Sequence, residues 1–182
     1  LPTEGGRVAG PGSISNPELV IEIVKALKGH CGIAGRDIIV FDRYADEFRD
    51  AGYEAMMRTR DMDDVRWHAA SYAYDDQQLR IDGQSPYQSR DPHIVGYDPD
   101  VFVSMGFAPE GVSPRDDRRH RSHLNLIVSR MVNKVITLPC LKDHKSAGVT
   151  LALKNMSHGM NNNVSRSHLA GIYRPGGGVS GP

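Results

Sequence analysis

Two short apolar runs constrain this chain more than any other feature. Ile38-Ile39-Val40-Phe41 follows Arg36-Asp37, and Val135-Ile136-Thr137-Leu138 follows Lys134 and is closed by Pro139. Both are rich in branched side chains, too short for a helix and unbroken by polar alternation. Runs of this kind fit strands of a sheet covered on both faces. Proline after the second run ends it, because proline cannot donate to a ladder.

Helical patterns surround the first run. Asn16-Pro17 is a helix start, with asparagine as the cap and proline in the first turn. Leu19, Val20, Ile23, Val24 and Leu27 recur at helical spacing, and Gly29 ends the element. Asp46 to Arg60 reads as a second helix carrying Phe48, Tyr53, Met56 and Met57, with Gly52 as its weak point. Val65 to Ala69 is expected as a further strand. The alternation predicts an α/β fold with an open, mostly parallel sheet and flanking helices. Asp42 falls at the C-terminal end of the first strand, where open α/β sheets place ligands.

The chain divides into four stretches. Residues 1–74 form the first α/β half. Residues 75–121 are polar, contain Pro86, Pro92, Pro99, Pro109 and Pro114, and read as a long irregular insertion. That insertion is either a lid or partner surface, or a solvated excursion. A hairpin is expected at Gln78 to Ile81 before Asp82-Gly83, and a strand at Val101 to Phe107. Residues 122–170 hold an ambiguous apolar stretch, Leu124 to Met131, and then a strand, turn and helix. Residues 171–182 are a glycine-rich tail. The chain opens before a helix with no strand ahead of it and stops in that tail, so it is expected to be a fragment of a larger domain.

The chemistry gathers after the second strand. Cys140 to His144 is expected as a turn, Gly148 to Met156 as a helix and Asn161-Asn162-Asn163 as a loop. Thr150, Lys154 and His158 then stand at i, i+4 and i+8 and form one polar stripe. Amides from Ser146 to Gly148 would open the helix towards an anion, with Lys142 and Lys145 adding charge. His144, at a strand end, is suited to acid–base work, and His158 and His168 to metal ligation. Each residue also has a plain structural reading: His144 as a turn residue, Lys154 as a surface lysine, His158 as a partner of the helix dipole.

Composition removes several classes. Lys+Arg and Asp+Glu both number 22, so the basic excess of a nucleic-acid binder is missing. No apolar run reaches the ~18 residues of a membrane helix. Leu1 to Gly12 has neither the basic start nor the apolar stretch of a signal peptide. The two cysteines, Cys31 and Cys140, form no Cys-x-x-Cys pair, so this chain alone builds no four-cysteine centre. Cys140 is expected as a buried small residue, with a Cys31–Cys140 disulfide as the alternative.

The run from Val135 to Asn155, with Pro139-Cys140-Leu141-Lys142-Asp143-His144, then Gly148-Val149-Thr150, then Lys154-Asn155, resembles the signature of the family called domain of unknown function 362. The helix at Asn16 to Val20 is similar to that family's first helix. The family has Thr where this chain has Asp143, and a first strand that is missing here. Its members are often exported by the twin-arginine route or joined to iron–sulfur modules, so the resemblance implies a periplasmic or exported protein with a redox partner, and a cytoplasmic one otherwise. A more distant resemblance is to the nickel-pincer-nucleotide lactate racemases, in which a lysine ten residues after a catalytic histidine carries the cofactor. It would make His144 the acid–base, Lys154 the cofactor anchor and His168 the nickel ligand. Here Val149-Thr150-Leu151-Ala152 replaces the glycine cluster.

Two functions follow as expectations. One is an enzyme, racemase-like or redox-associated, that holds a small molecule, a transition metal or a metal-nucleotide near His144. Its catalytic residues would be His144 and Lys154, its cofactor residues Lys142, Lys145, Gly148, Thr150 and Asn155, and its metal ligands His158 and His168. The other is a non-catalytic binding or complex-forming subunit whose insertion docks a partner. An open pocket beside His144 would favour the first.

Overall fold

The structure is a computed structural model, and it describes residues 3–4, 7–8, 14–74, 79–104, 113, 115–144 and 148–163. A short antiparallel pair, β1 (Thr3–Glu4) and β2 (Arg7–Val8), opens the chain. Helix α1 spans Pro17–Gly29, and the Asn16 side chain accepts the Glu18 N–H at 2.8 Å, as the Asn-Pro start predicts. Strand β3 covers Ile39–Tyr44. The expected second helix is two pieces, α2 (Ala45–Asp50) and α3 (Tyr53–Met56). Gly52 breaks it: its φ of 83° is left-handed backbone that a helix interior does not admit.

Strand β4 (Arg66–Ser71) lies parallel to β3, with Ile39 opposite Arg66 and Phe41 opposite His68. Ala69 continues the ladder to Ile94 by an isolated parallel bridge. The α/β reading therefore stands, but the open parallel sheet is a pair of strands rather than a broad one. The expected two-sided burial of the first strand is also corrected. Ile39, Val40 and Phe41 are only half-buried, because one side of β3 meets a cleft. The core lies on the α2–α3 side. Phe48 stacks on Trp67 at 4.7 Å, Trp67 stacks on His93 at 3.9 Å, and Met56, Met57 and Met62 fill the space beside them.

Within the expected insertion, Leu79 to Asp82 is not a hairpin strand, and Gln78 lies outside the described residues. The segment runs flat against the sheet instead. Tyr72 N–H donates to Gly83 O at 2.7 Å, and a Cβ at Gly83 would stand 2.1 Å from the Ala70 carbonyl oxygen. Only glycine fits that approach. Strand β5 (Tyr97–Ser104) starts earlier than expected and pairs antiparallel with β6 (Arg121–Asn125). Its register shifts between Tyr97 and Phe102, where Pro99 cannot donate. The ambiguous stretch from Leu124 is both things: strand to Asn125, then a π-helical turn at Ile127–Met131.

Three further expectations are overturned after Met131. Lys134 to Leu138 is not a core strand; it is irregular chain outside any described sheet, and Ile136 is 57% exposed. Its residues suit a strand, but a strand needs a neighbour to take its N–H and C=O groups. Cys140 to His144 is not merely a turn, since Lys142–His144 forms β7, antiparallel to β8 (Gly148–Thr150). The helix expected from Gly148 is shorter: α4 spans Ala152–Ser157. Cys31 and Cys140 are free thiols, and Cys140 is half-exposed rather than buried.

Candidate cleft between β3 and the hairpin

A cleft of about 1330 Å³ separates β3 from the segment 130–140. Helix α1 presents Val20, Ile23, Val24 and Leu27 to it, because those positions share one helical face. β3 contributes Ile39 to Arg43, and the hairpin and α4 contribute Lys142, Thr150, Lys154 and Asn155. Four of the residues singled out from the sequence thus meet in one cavity.

The reason differs from the expected one. Thr150 lies in β8 and Lys154 in α4, so they are not a stripe on one helix. The β7–β8 pairing sets Lys142 opposite Thr150, and the strand-to-helix junction at Leu151 carries Lys154 to the same cavity. The expected anion site at a helix N-terminus is likewise corrected: Gly148 is in a strand, and α4 starts at Ala152 without a side-chain cap. His144 is half-buried in β7 opposite Gly148, and neither residue is among those lining the cleft. His158 follows α4, where its N–H donates to Lys154 O at 2.8 Å and its Nδ1 lies 3.0 Å from Ser157 Oγ. That is the structural arrangement weighed for it. Lys145 and His168 lie outside the described residues. Among the described residues, no three of His, Cys, Asp and Glu come together as a cation site.

Charge in the cleft is uneven. Arg43, Arg66, Arg130, Lys134, Lys142 and Lys154 line it, against Asp37, Asp42 and Glu47. Asp42 is further discounted as an anion. Its accessible surface opens onto the cleft, the walls surround it, and this desolvation pushes the carboxyl up, although the Arg43 N–H (2.6 Å) and the Arg43 charge act the other way. Tyr53 beside it is pushed up to about 12, first by burial and then by the Asp42 charge. A carboxyl so displaced in a cavity is a candidate acid–base group. Its strand-end position was legible in the sequence.

The buried polar cluster behind the cleft was not. Asn161, Asn162 and Asn163, expected as a loop, are buried. The His123 N–H donates to Asn162 Oδ1 (2.7 Å), Ser122 Oγ donates to Asn163 O (2.6 Å), and Arg43 Nη2 donates to Asn162 O (2.5 Å). The Arg43 guanidinium is thereby tied to the asparagine cluster, and Arg43 is one of the residues lining the cleft. Consecutive asparagines are common in turns, and nothing in the pattern marks these as interior. Beside them Arg130 donates to both Asp98 carboxylate oxygens (2.6 and 2.9 Å) and to Asp100 (2.8 Å). No described helix is long and apolar enough to cross a membrane.

No curated protein and no solved structure matches the chain. The likeness to the lactate racemases rests on the spacing of His144 and Lys154 alone. The other resemblance is borne out: residues 105–172, the stretch that supplies the hairpin and α4, match the model of a family described as a domain of unknown function (DUF362).

Proposed function

We propose that the chain binds a small anionic molecule, a carboxylate or a nucleotide phosphate, in the cleft between β3 and the hairpin. The observation that carries this reading is the excess of cationic side chains around an otherwise apolar cavity, with Lys142, Lys154 and Arg43 drawn from three separate elements. Apolar walls with a few convergent polar groups are the usual form of a ligand site. Low dielectric strengthens each charge-assisted bond made there. Thr150 and Asn155 supply neutral donors and acceptors for orientation. If the bound molecule reacts, Asp42, whose carboxyl is pushed up by desolvation, is the group in the cleft suited to acid–base work. His144, outside the lining, supports the hairpin in this arrangement.

The test is calorimetric titration of the full chain with ADP and, separately, with lactate. Saturable binding of at least one is expected. Lys154→Met and Lys142→Met should each weaken it about tenfold, the loss of one charge-assisted hydrogen bond. Binding of neither probe, or equal affinity in both variants with circular dichroism unchanged, would overturn the proposal.

A further inference from the structure

The cleft has one wall that is incomplete as a sheet. In the β3–β4 ladder the Arg66 N–H donates to Ile38 O at 3.2 Å, with Arg66 opposite Ile39. In a parallel ladder this phase turns the N–H and C=O of Ile38, Val40 and Asp42 towards β4. The backbone groups of Ile39, Phe41 and Arg43 must then point to the other edge of β3. That edge faces the cleft, and no strand is paired to it among the described residues. An open edge of this kind is a template for another extended segment.

One candidate segment borders the same cleft. The side chains of Lys134 to Leu138 favour a strand, and the segment has no ladder partner in the described chain. It is held at both ends. Arg130 is fixed by Asp98 and Asp100, and Leu138 packs on the core while its carbonyl accepts from Ser15 Oγ. The Ser15 carbonyl in turn accepts from the Tyr53 hydroxyl, and Tyr53 is close enough to Asp42 to feel its charge. The C-terminal end of the segment is thereby tied to Tyr53.

We propose that Lys134–Leu138 docks on the free edge of β3 as a third strand and narrows the cleft on that side. Docking satisfies the backbone groups of Ile39 and Phe41 and covers Ile136. Because both ends of the segment are anchored, little chain entropy opposes it. Ligand binding is not needed for this step, so it stands apart from the proposed function.

Amide hydrogen exchange of the full chain, read by NMR, tests it. Docking predicts that the Ile39 and Phe41 amides, and alternate amides within 134–138, exchange at least about tenfold more slowly than free chain. It also predicts that Ile136→Pro and Thr137→Pro differ, since only one of these N–H groups points at β3: one variant restores fast exchange at Phe41 and its neighbour does not. Free-chain exchange at Ile39 and Phe41 would overturn the proposal. So would equal behaviour of the two proline variants, or protection that appears only as protein concentration rises, which would mean that the edge pairs with a second copy.

Discussion

Asp42 shows how a single residue can be placed by sequence and still be read incompletely. The apolar run before it fixed its position near a strand end. The enclosing walls come from α1 and from residues about a hundred positions downstream, so no local pattern announces that its carboxyl is poorly solvated. The consequence is measurable. The folded chain holds the Asp42 proton more tightly than the unfolded chain does, so this group lowers stability progressively as pH rises from about 4 through its raised folded value. Asn keeps the oxygen that accepts from Arg43 N–H and removes the charge. In thermal melts Asp42→Asn is expected to exceed the parent midpoint at pH 7, with the difference closing below about pH 4. Equal midpoints across the whole range would show that the carboxyl is well solvated.

Elements were legible where local chemistry decides them. The Asn16 cap, Pro17 and the apolar stripe specify α1 without help from the rest of the chain. Asn16→Ala should cost about 1 kcal/mol in urea unfolding, because the Glu18 N–H loses its partner. Gly52→Ala should cost about 1 kcal/mol or more, since alanine resists a φ of 83° although no atom lies within 4 Å of the added carbon. A stabilised Gly52→Ala variant would mean instead that α2 and α3 merge into the single helix that the apolar spacing suggests. Elements were not legible where partners decide them. Val135, Ile136 and Thr137 have every local mark of a core strand, but strand formation is a property of pairs, and the structure pairs β3 with β4 instead. Of the expected helix stripe Thr150, Lys154 and His158, the first two line the cleft and His158 does not, because a strand-to-helix junction at Leu151 stands where one continuous helix was expected.

At the scale of the whole molecule, polar contacts help to join the β3–β4 layer to the β5–β6 pair. Arg43 reaches from β3 to Asn162, Asn162 and Asn163 hold β6, and Asp98 in β5 grips Arg130 at the start of the segment that borders the cleft. This arrangement ties acid stability to one ion pair. The Arg130 guanidinium holds the Asp98 carboxyl far below the usual carboxylate range, and the hydrogen bond from the Asp100 N–H adds to the effect. The folded state thus binds this proton more weakly than the unfolded state. The pair's contribution is present in full above about pH 4 and is lost as pH falls from there towards the folded value. Arg130→Met removes the cation and leaves the buried Asp98 carboxylate without its main partner. The variant is expected to be less stable than the parent at pH 7, and its denaturation midpoint should fall less steeply than the parent's between pH 4 and pH 2. The same variant releases the anchored end of the segment bordering the cleft, so exchange at residues 134–138 should quicken in parallel. An Arg130→Met midpoint that tracks the parent at every pH would mean that the Asp98–Arg130 pair contributes nothing to acid stability.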